Sequence, residues 1–119
     1  MSILPSNAMP VDVVQRQLAA YNGRDVEAFV ATYSPAIVIM RHPSGETLIS
    51  GLDALRQMYR ELFARSPQLH CEIVNRIVIG NCVIDHEHVT GRGDAPPFNA
   101  VVIYEVQAGL IQRAWALRE

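Results

Sequence analysis

At Pro67 the apolar residues change their spacing from every third or fourth position to every second, and this switch constrains the fold more than any other feature of the chain. Before it the pattern is helical. Val14, Leu18 and Tyr21 lie one turn apart on a stripe that begins at Val11 and closes at Asn22-Gly23, a pair suited to a left-handed cap. Asp25 suits the N-cap of a second, shorter helix with Val26, Phe29, Val30 and Tyr33 on its apolar side, and Ser34-Pro35 ends it, since proline disfavours helical geometry in the residue before it. Ala36 to Arg41 reads as a strand, His42-Pro43-Ser44-Gly45 as a turn, and Glu46 to Ser50 as the antiparallel return. A third helix is expected from Leu52 to Arg65, with Leu55, Met58, Tyr59, Leu62 and Phe63 facing inward and Ser66-Pro67 as its stop. Beyond Pro67 the strands run from Leu69 to Ile79, Cys82 to Gly91, Phe98 to Val106 and Leu110 to Leu117. Helix, helix, hairpin, helix and a four-stranded meander predict an α+β domain over residues 11–119, with the helices on one face of a mostly antiparallel sheet. Residues 1–10, with two prolines and no periodicity, are expected to form an arm.

Composition removes several functions from consideration. Half of the residues are apolar, too many for a disordered chain, yet no run approaches the roughly 18 apolar residues of a membrane helix. Ten basic residues, all arginine, face twelve acidic ones, so the net charge of −2 leaves no footprint for nucleic acid or an anionic membrane. Met1 to Pro10 lacks the basic start and apolar stretch of a secretory leader, which points to the cytoplasm. Cys71 and Cys82 agree with a reducing compartment: a two-residue turn at Gly80-Asn81 pairs residues whose numbers sum to about 161, placing Cys82 opposite Ile79 and Cys71 opposite Thr90, too far apart to bridge. There is no CxxC, no phosphate loop and no nucleophile elbow, so neither a metal nor another cofactor is implied.

The run Val13 to Asn22 before Gly23-Arg24-Asp25, the His42-Pro43-Ser44-Gly45 turn, Gly51-Leu52-Asp53-Ala54-Leu55 and the closing Gly109-Leu110-Ile111 together resemble the nuclear-transport-factor-2-like superfamily, and within it the ketosteroid-isomerase-like and SnoaL-like proteins. The resemblance implies a cone-shaped, cystatin-like roll, a curved mixed sheet wrapped by three N-terminal helices around a pocket for a small apolar molecule. Its members are commonly dimers. Ketosteroid isomerase needs a carboxylate base and an oxyanion hole of tyrosine and protonated aspartic acid. The positions that correspond here are His42 for the base, Gln17 for the tyrosine and Val102 for the aspartic acid. A histidine can act as a base near neutral pH, but an amide and a valine do not replace the oxyanion pair, so the resemblance does not imply steroid isomerisation by that mechanism.

The most polar strand is Cys82 to Thr90. Alternation puts Val83, Asp85, Glu87 and Val89 on one face and Cys82, Ile84, His86 and His88 on the other, and the family pattern turns the first set inward. Pairing across the Arg92 to Pro97 loop places Glu87 near Val102 and Asp85 near Tyr104, with Ala114, Ala116 and Arg118 on the same face. The candidate catalytic group is therefore His42 with Asp85, Glu87 and Arg118, the arginine pairing with a carboxylate because two buried carboxylates do not ionise cheaply together. Gln17, Tyr21, Met58, Tyr59, Val102 and Tyr104 are the candidate walls. His86 and His88 have chelating spacing but no third ligand, so they read as subunit contacts or solvent-facing groups.

On the opposite sheet face Val101, Ile103, Trp115 and Leu117 form an apolar patch that no expected helix covers, which points to a homodimer. Two functions remain: an isomerase, lyase or cyclase acting on an apolar carbonyl compound with His42 as general base, or a module that binds or dimerises without chemistry.

Overall fold

A computed structural model describes residues 9–119 as three helices and six strands: α1 (Pro10–Asn22), α2 (Val26–Val30), β1 (Tyr33–Arg41), β2 (Thr47–Ser50), α3 (Leu52–Ala64), β3 (His70–Ile79), β4 (Cys82–Thr90), β5 (Phe98–Gln107) and β6 (Leu110–Arg118). The expected arm lies almost wholly outside the described residues. The strands form one sheet in the order β2-β1-β6-β5-β4-β3, antiparallel throughout except where β1 runs parallel to β6. This is the α+β cone that the period switch and the resemblance imply. Among the described residues, no helix is long and apolar enough to cross a membrane.

Local chemistry explains the helix boundaries. Pro10 opens α1, where a missing N–H costs nothing, and Gly23 closes it with its N–H on the Ala19 carbonyl. The Asp25 carboxylate accepts from the Ala28 N–H and caps α2. That helix is shorter than its apolar pattern suggests. The Thr32 hydroxyl bonds back to the Phe29 carbonyl, and Ile111 donates to the Thr32 carbonyl, so Tyr33 and Ser34, expected at the end of α2, already belong to β1. The extended geometry that Pro35 imposes before it suits a strand as well as it ends a helix. Tyr33 is thereby turned into the core, where it is 4% exposed.

Register shifts between the strands decide which side chains the sheet turns inward. In the β3–β4 hairpin Cys82 faces Ile79 as expected, but an extra residue at Val74 shifts the far half of β3, and Cys71 faces Val89 instead of Thr90. Cys71 therefore points inward and both thiols are free. Across β4 and β5 the pairing is two residues from the expected one, with Asp85 opposite Val102 and Glu87 opposite Ala100. A shift of two preserves the face, so the side chains still point the predicted way. The β5–β6 turn has two residues, Ala108 and Gly109, both at positive φ, and an irregularity beside it restores the parity of a three-residue loop, leaving Ala114, Ala116 and Arg118 inward.

The core lies between the helices and the inner sheet face. Phe29 stacks on Tyr59 with ring centroids 4.4 Å apart, and Tyr21, Tyr33 and Phe63 complete an aromatic cluster around it. On β4, Val83, Asp85 and Val89 are buried while the alternate residues are only partly so, as expected when one face packs and the other stays open.

Candidate active site

The apolar cluster does not fill the cone. Towards its open end a cavity of about 340 Å³ remains, at the small end of the range for ligand sites. Helical spacing brings Gln17, Leu18 and Tyr21 of α1 to it, and Met58 and Tyr59 of α3. The two-residue period of the sheet supplies Tyr33, Ile39 and Arg41 from β1, Glu87 and Val89 from β4, Ala100, Val102 and Tyr104 from β5, and Ala114, Ala116 and Arg118 from β6. All six expected wall residues thus border the cavity.

The four expected catalytic residues separate. Glu87 is in the wall, where it accepts a hydrogen bond from the Tyr104 hydroxyl at 3.2 Å. Asp85, 1% exposed, lies outside the lining and forms a bidentate pair with Arg76 at 2.6 and 2.9 Å, while Arg76 also donates to Gln15 of α1 at 2.8 Å. Arg118 lines the cavity but stacks on Phe98, its guanidinium carbon 3.7 Å from the ring centroid, and holds neither carboxylate. His42 stands apart from the cavity lining. Ile39 and Arg41 face the cavity, so the next residue in β1's alternation faces out; His42 is exposed in the turn and its N–H donates to the Ala116 carbonyl.

Burial pushes the Glu87 carboxyl up to about 7, and the neighbouring Asp85 charge adds to the rise. Hydrogen bonds from Tyr104 and the Cys71 thiol, and the charge of Arg76, oppose it without cancelling it. A carboxyl poised there both takes and returns a proton at neutral pH. Tyr33 and Tyr104 are driven well above the ordinary phenol range, first by burial, and therefore stay protonated donors. Gln17 Nε2 donates to the Tyr33 hydroxyl at 3.0 Å, and among the described residues no acceptor takes the Tyr33 proton.

Because the Glu87 carboxyl is raised in the folded protein, the native state binds more protons than the unfolded chain between about 4.5 and about 7, and ionising it costs stability as pH rises through that window. Glu87→Gln is therefore expected to gain on the wild type from pH 5 to pH 8, by on the order of 2 kcal/mol, in urea titrations at several pH values. A pH-independent difference between the two proteins contradicts the raised ionisation.

Tyr33 and Arg92 are among the cavity residues that sequence reasoning misses. Tyr33 is hidden by its place beside Pro35, and Arg92 by a loop without periodicity. Arg92 Nη1 donates to the Tyr21 hydroxyl at 3.0 Å from the β4–β5 connection. Among the described residues no three His, Cys, Asp or Glu side chains converge on a metal site; His86 contacts Asn99 instead, on the outer face.

The SnoaL-like domain model matches residues 14–114, nearly all of this fold. The chain belongs to the SnoaL-like family. Solved structures share the fold. A cystatin-fold protein from Novosphingobium aromaticivorans is 28% identical with a TM-score of 0.84, over 94% of this chain and all of that one. A SnoaL-like protein from Burkholderia thailandensis is 16% identical with a TM-score of 0.77, over 98% of this chain and 99% of its own. A protein with a ketosteroid-isomerase-like fold from Catenulispora acidiphila, in complex with trimethylamine, is 16% identical with a TM-score of 0.73, over 88% of this chain and 83% of that one. No curated protein matches the sequence.

Proposed function

We propose that this SnoaL-like protein is an enzyme of the isomerase, lyase or cyclase type, acting on a small apolar carbonyl compound held in the cone. The observation that carries the reading is Glu87, a carboxyl poised near neutrality in the wall of a largely apolar cavity. Glu87 replaces His42 as the general base, since His42 faces away from the cavity. Its carboxylate removes a proton from the carbon beside the carbonyl. The negative charge then develops on the carbonyl oxygen, where the Tyr33 hydroxyl, its own oxygen occupied by Gln17, is free to donate. Glu87, now protonated, returns the proton at another carbon or to a leaving group. Tyr104 orients the carboxyl, while Asp85 and Arg76 support it from behind.

Proton abstraction can be followed whatever product the enzyme forms. It exchanges solvent deuterium into the carbon beside the carbonyl, which proton NMR follows across a panel of apolar ketones, enones and oxo acids. Exchange faster than buffer is expected for at least one member. Binding without exchange throughout the panel overturns the enzyme reading and leaves a ligand-binding module, the reading favoured by the outward turn of His42.

The same proposal includes a homodimer through the outer sheet face. Val101, Ile103 and Trp115 are partly exposed there, with Leu117 45% and Ile77 46% exposed, and no helix among the described residues covers them. Sedimentation is expected to give twice the chain mass, and Trp115→Glu to return it to one.

A further inference from the structure

We propose that the compound held in the cone carries a carboxylate, which Arg92 and the hydroxyls of Tyr21 and Tyr59 bind in the cavity that Glu87 also lines. Its observations are independent of Glu87's chemistry; only the extension to an apolar oxo acid as substrate rests on the function proposed above.

The first observation is the charge of the lining. Arg41, Arg92 and Arg118 border the cavity, against Glu87 as its single carboxylate. Arg41 is occupied by Glu46 at 3.2 Å. Arg118 spends its face on Phe98. Arg92 is only partly exposed and pairs with no carboxylate among the described residues, its hydrogen-bond partner being a neutral phenol. An enclosed cation without a counter-ion is unfavourable, and a ligand anion supplies the missing partner. A guanidinium has five N–H donors in a planar fork, which matches the two oxygens of a carboxylate.

The second observation is the direction of the hydroxyl protons. Tyr21 Oη accepts from Arg92, and burial keeps the phenol protonated. No acceptor among the described residues takes its proton. Tyr59 lies against the same guanidinium and is likewise held protonated by burial. Each phenol thus presents an O–H beside the arginine's free donors. Together they form an anion cradle assembled from α1, α3 and the β4–β5 connection.

The third observation is that the cradle is held in advance. Arg92 sits between two glycines at positive φ. A Cβ at Gly91 would come 2.2 Å from the Gln68 carbonyl oxygen, so the backbone there packs closer than any side chain permits. Gly93 N–H donates to Ser66 Oγ at 2.9 Å. Both neighbours thereby pack on the segment after α3, which fixes the backbone from which Arg92 reaches the cavity wall and Tyr21.

The fourth observation is the shared cavity. Arg92, Tyr21, Tyr59, Glu87 and Tyr33 all border the same cavity. A molecule with its carboxylate on Arg92 therefore lies in the space that Glu87 and Tyr33 also line.

The experiment compares phenylbutanoate with its neutral isostere phenylbutanamide by isothermal titration calorimetry. The wild type is expected to bind the carboxylate about ten- to a hundredfold more tightly. Arg92→Gln is expected to abolish that preference, while an unchanged circular dichroism spectrum and melting temperature report that the fold is intact. Arg92→Lys, which keeps the charge but not the fork, should retain part of the preference, and serves if Arg92→Gln fails to fold. Arg118→Gln should keep it. Equal affinity of the wild type for the two probes, no binding of the carboxylate, or loss of the preference in Arg118→Gln but not in Arg92→Gln overturns the proposal. Glu87→Gln is expected to keep the preference. A carboxylate preference in a protein that exchanges no deuterium therefore defeats the enzyme reading alone, whereas exchange without the preference defeats this inference alone.

Discussion

Glu87→Gln is expected to slow deuterium exchange by about 10²- to 10⁴-fold, the usual worth of a positioned general base. The substitution keeps the shape and the Tyr104 contact but removes the carboxylate that accepts the proton. Since the base works ionised, the wild-type rate should rise with pH through about 7 and then level, and the residual rate of the variant should lack that step. Tyr104→Phe offers a finer check. It deletes a hydrogen bond that holds the carboxyl down, so the midpoint of the profile should move upward while the step persists. An exchange rate unchanged in Glu87→Gln removes Glu87 from the role. His42→Ala should leave the rate alone, because that imidazole faces solvent.

What could be read in the sequence follows from how each residue is held. Period and parity are local properties of a strand, so the inward set Val83, Asp85, Glu87 and Val89 follows from β4 alone and survives a pairing error of two residues. The same parity in β1, carried one residue past Arg41, turns His42 away from the cavity, and the resemblance obscures this by matching His42 to a catalytic position. The partner of Asp85 is readable too. The hairpin arithmetic that sets Cys82 against Ile79 also sets Arg76 against Asp85, as observed. Beyond the bulge at Val74 that arithmetic fails by one, which is why Cys71 is found in the cavity. A bulge leaves no composition signal. Arg92 is hidden for another reason: its position depends on the contact of Gly91 with Gln68 and of Gly93 with Ser66, both formed only when the chain has folded.

The Arg76–Asp85 pair carries the largest expected effect on stability. With Asp85 1% exposed and both its oxygens on Arg76, the bridge ties β3 to β4, and Gln15 extends it to α1. Arg76→Met leaves a carboxylate enclosed without its cation, which costs about 3 to 5 kcal/mol, to be read from urea denaturation at constant slope. Asp85→Leu with Arg76→Met should recover most of that loss, because the cost lies in the unpaired charge rather than in any net gain from the pair. A cost below about 1 kcal/mol for Arg76→Met means that water reaches the pair and that it behaves as a surface bridge. The same variants act on the site. Arg76 helps to hold the Glu87 carboxyl down, so Arg76→Met alone should move the exchange midpoint upward. Asp85 pushes it up more strongly than Arg76 pulls it down, so the double variant should move the midpoint below about 7. Opposite shifts from the single and double variants, read from the pH profile of exchange, would show that the pair tunes Glu87 through its charges, whereas parallel shifts would trace the effect to loosened packing around the carboxyl.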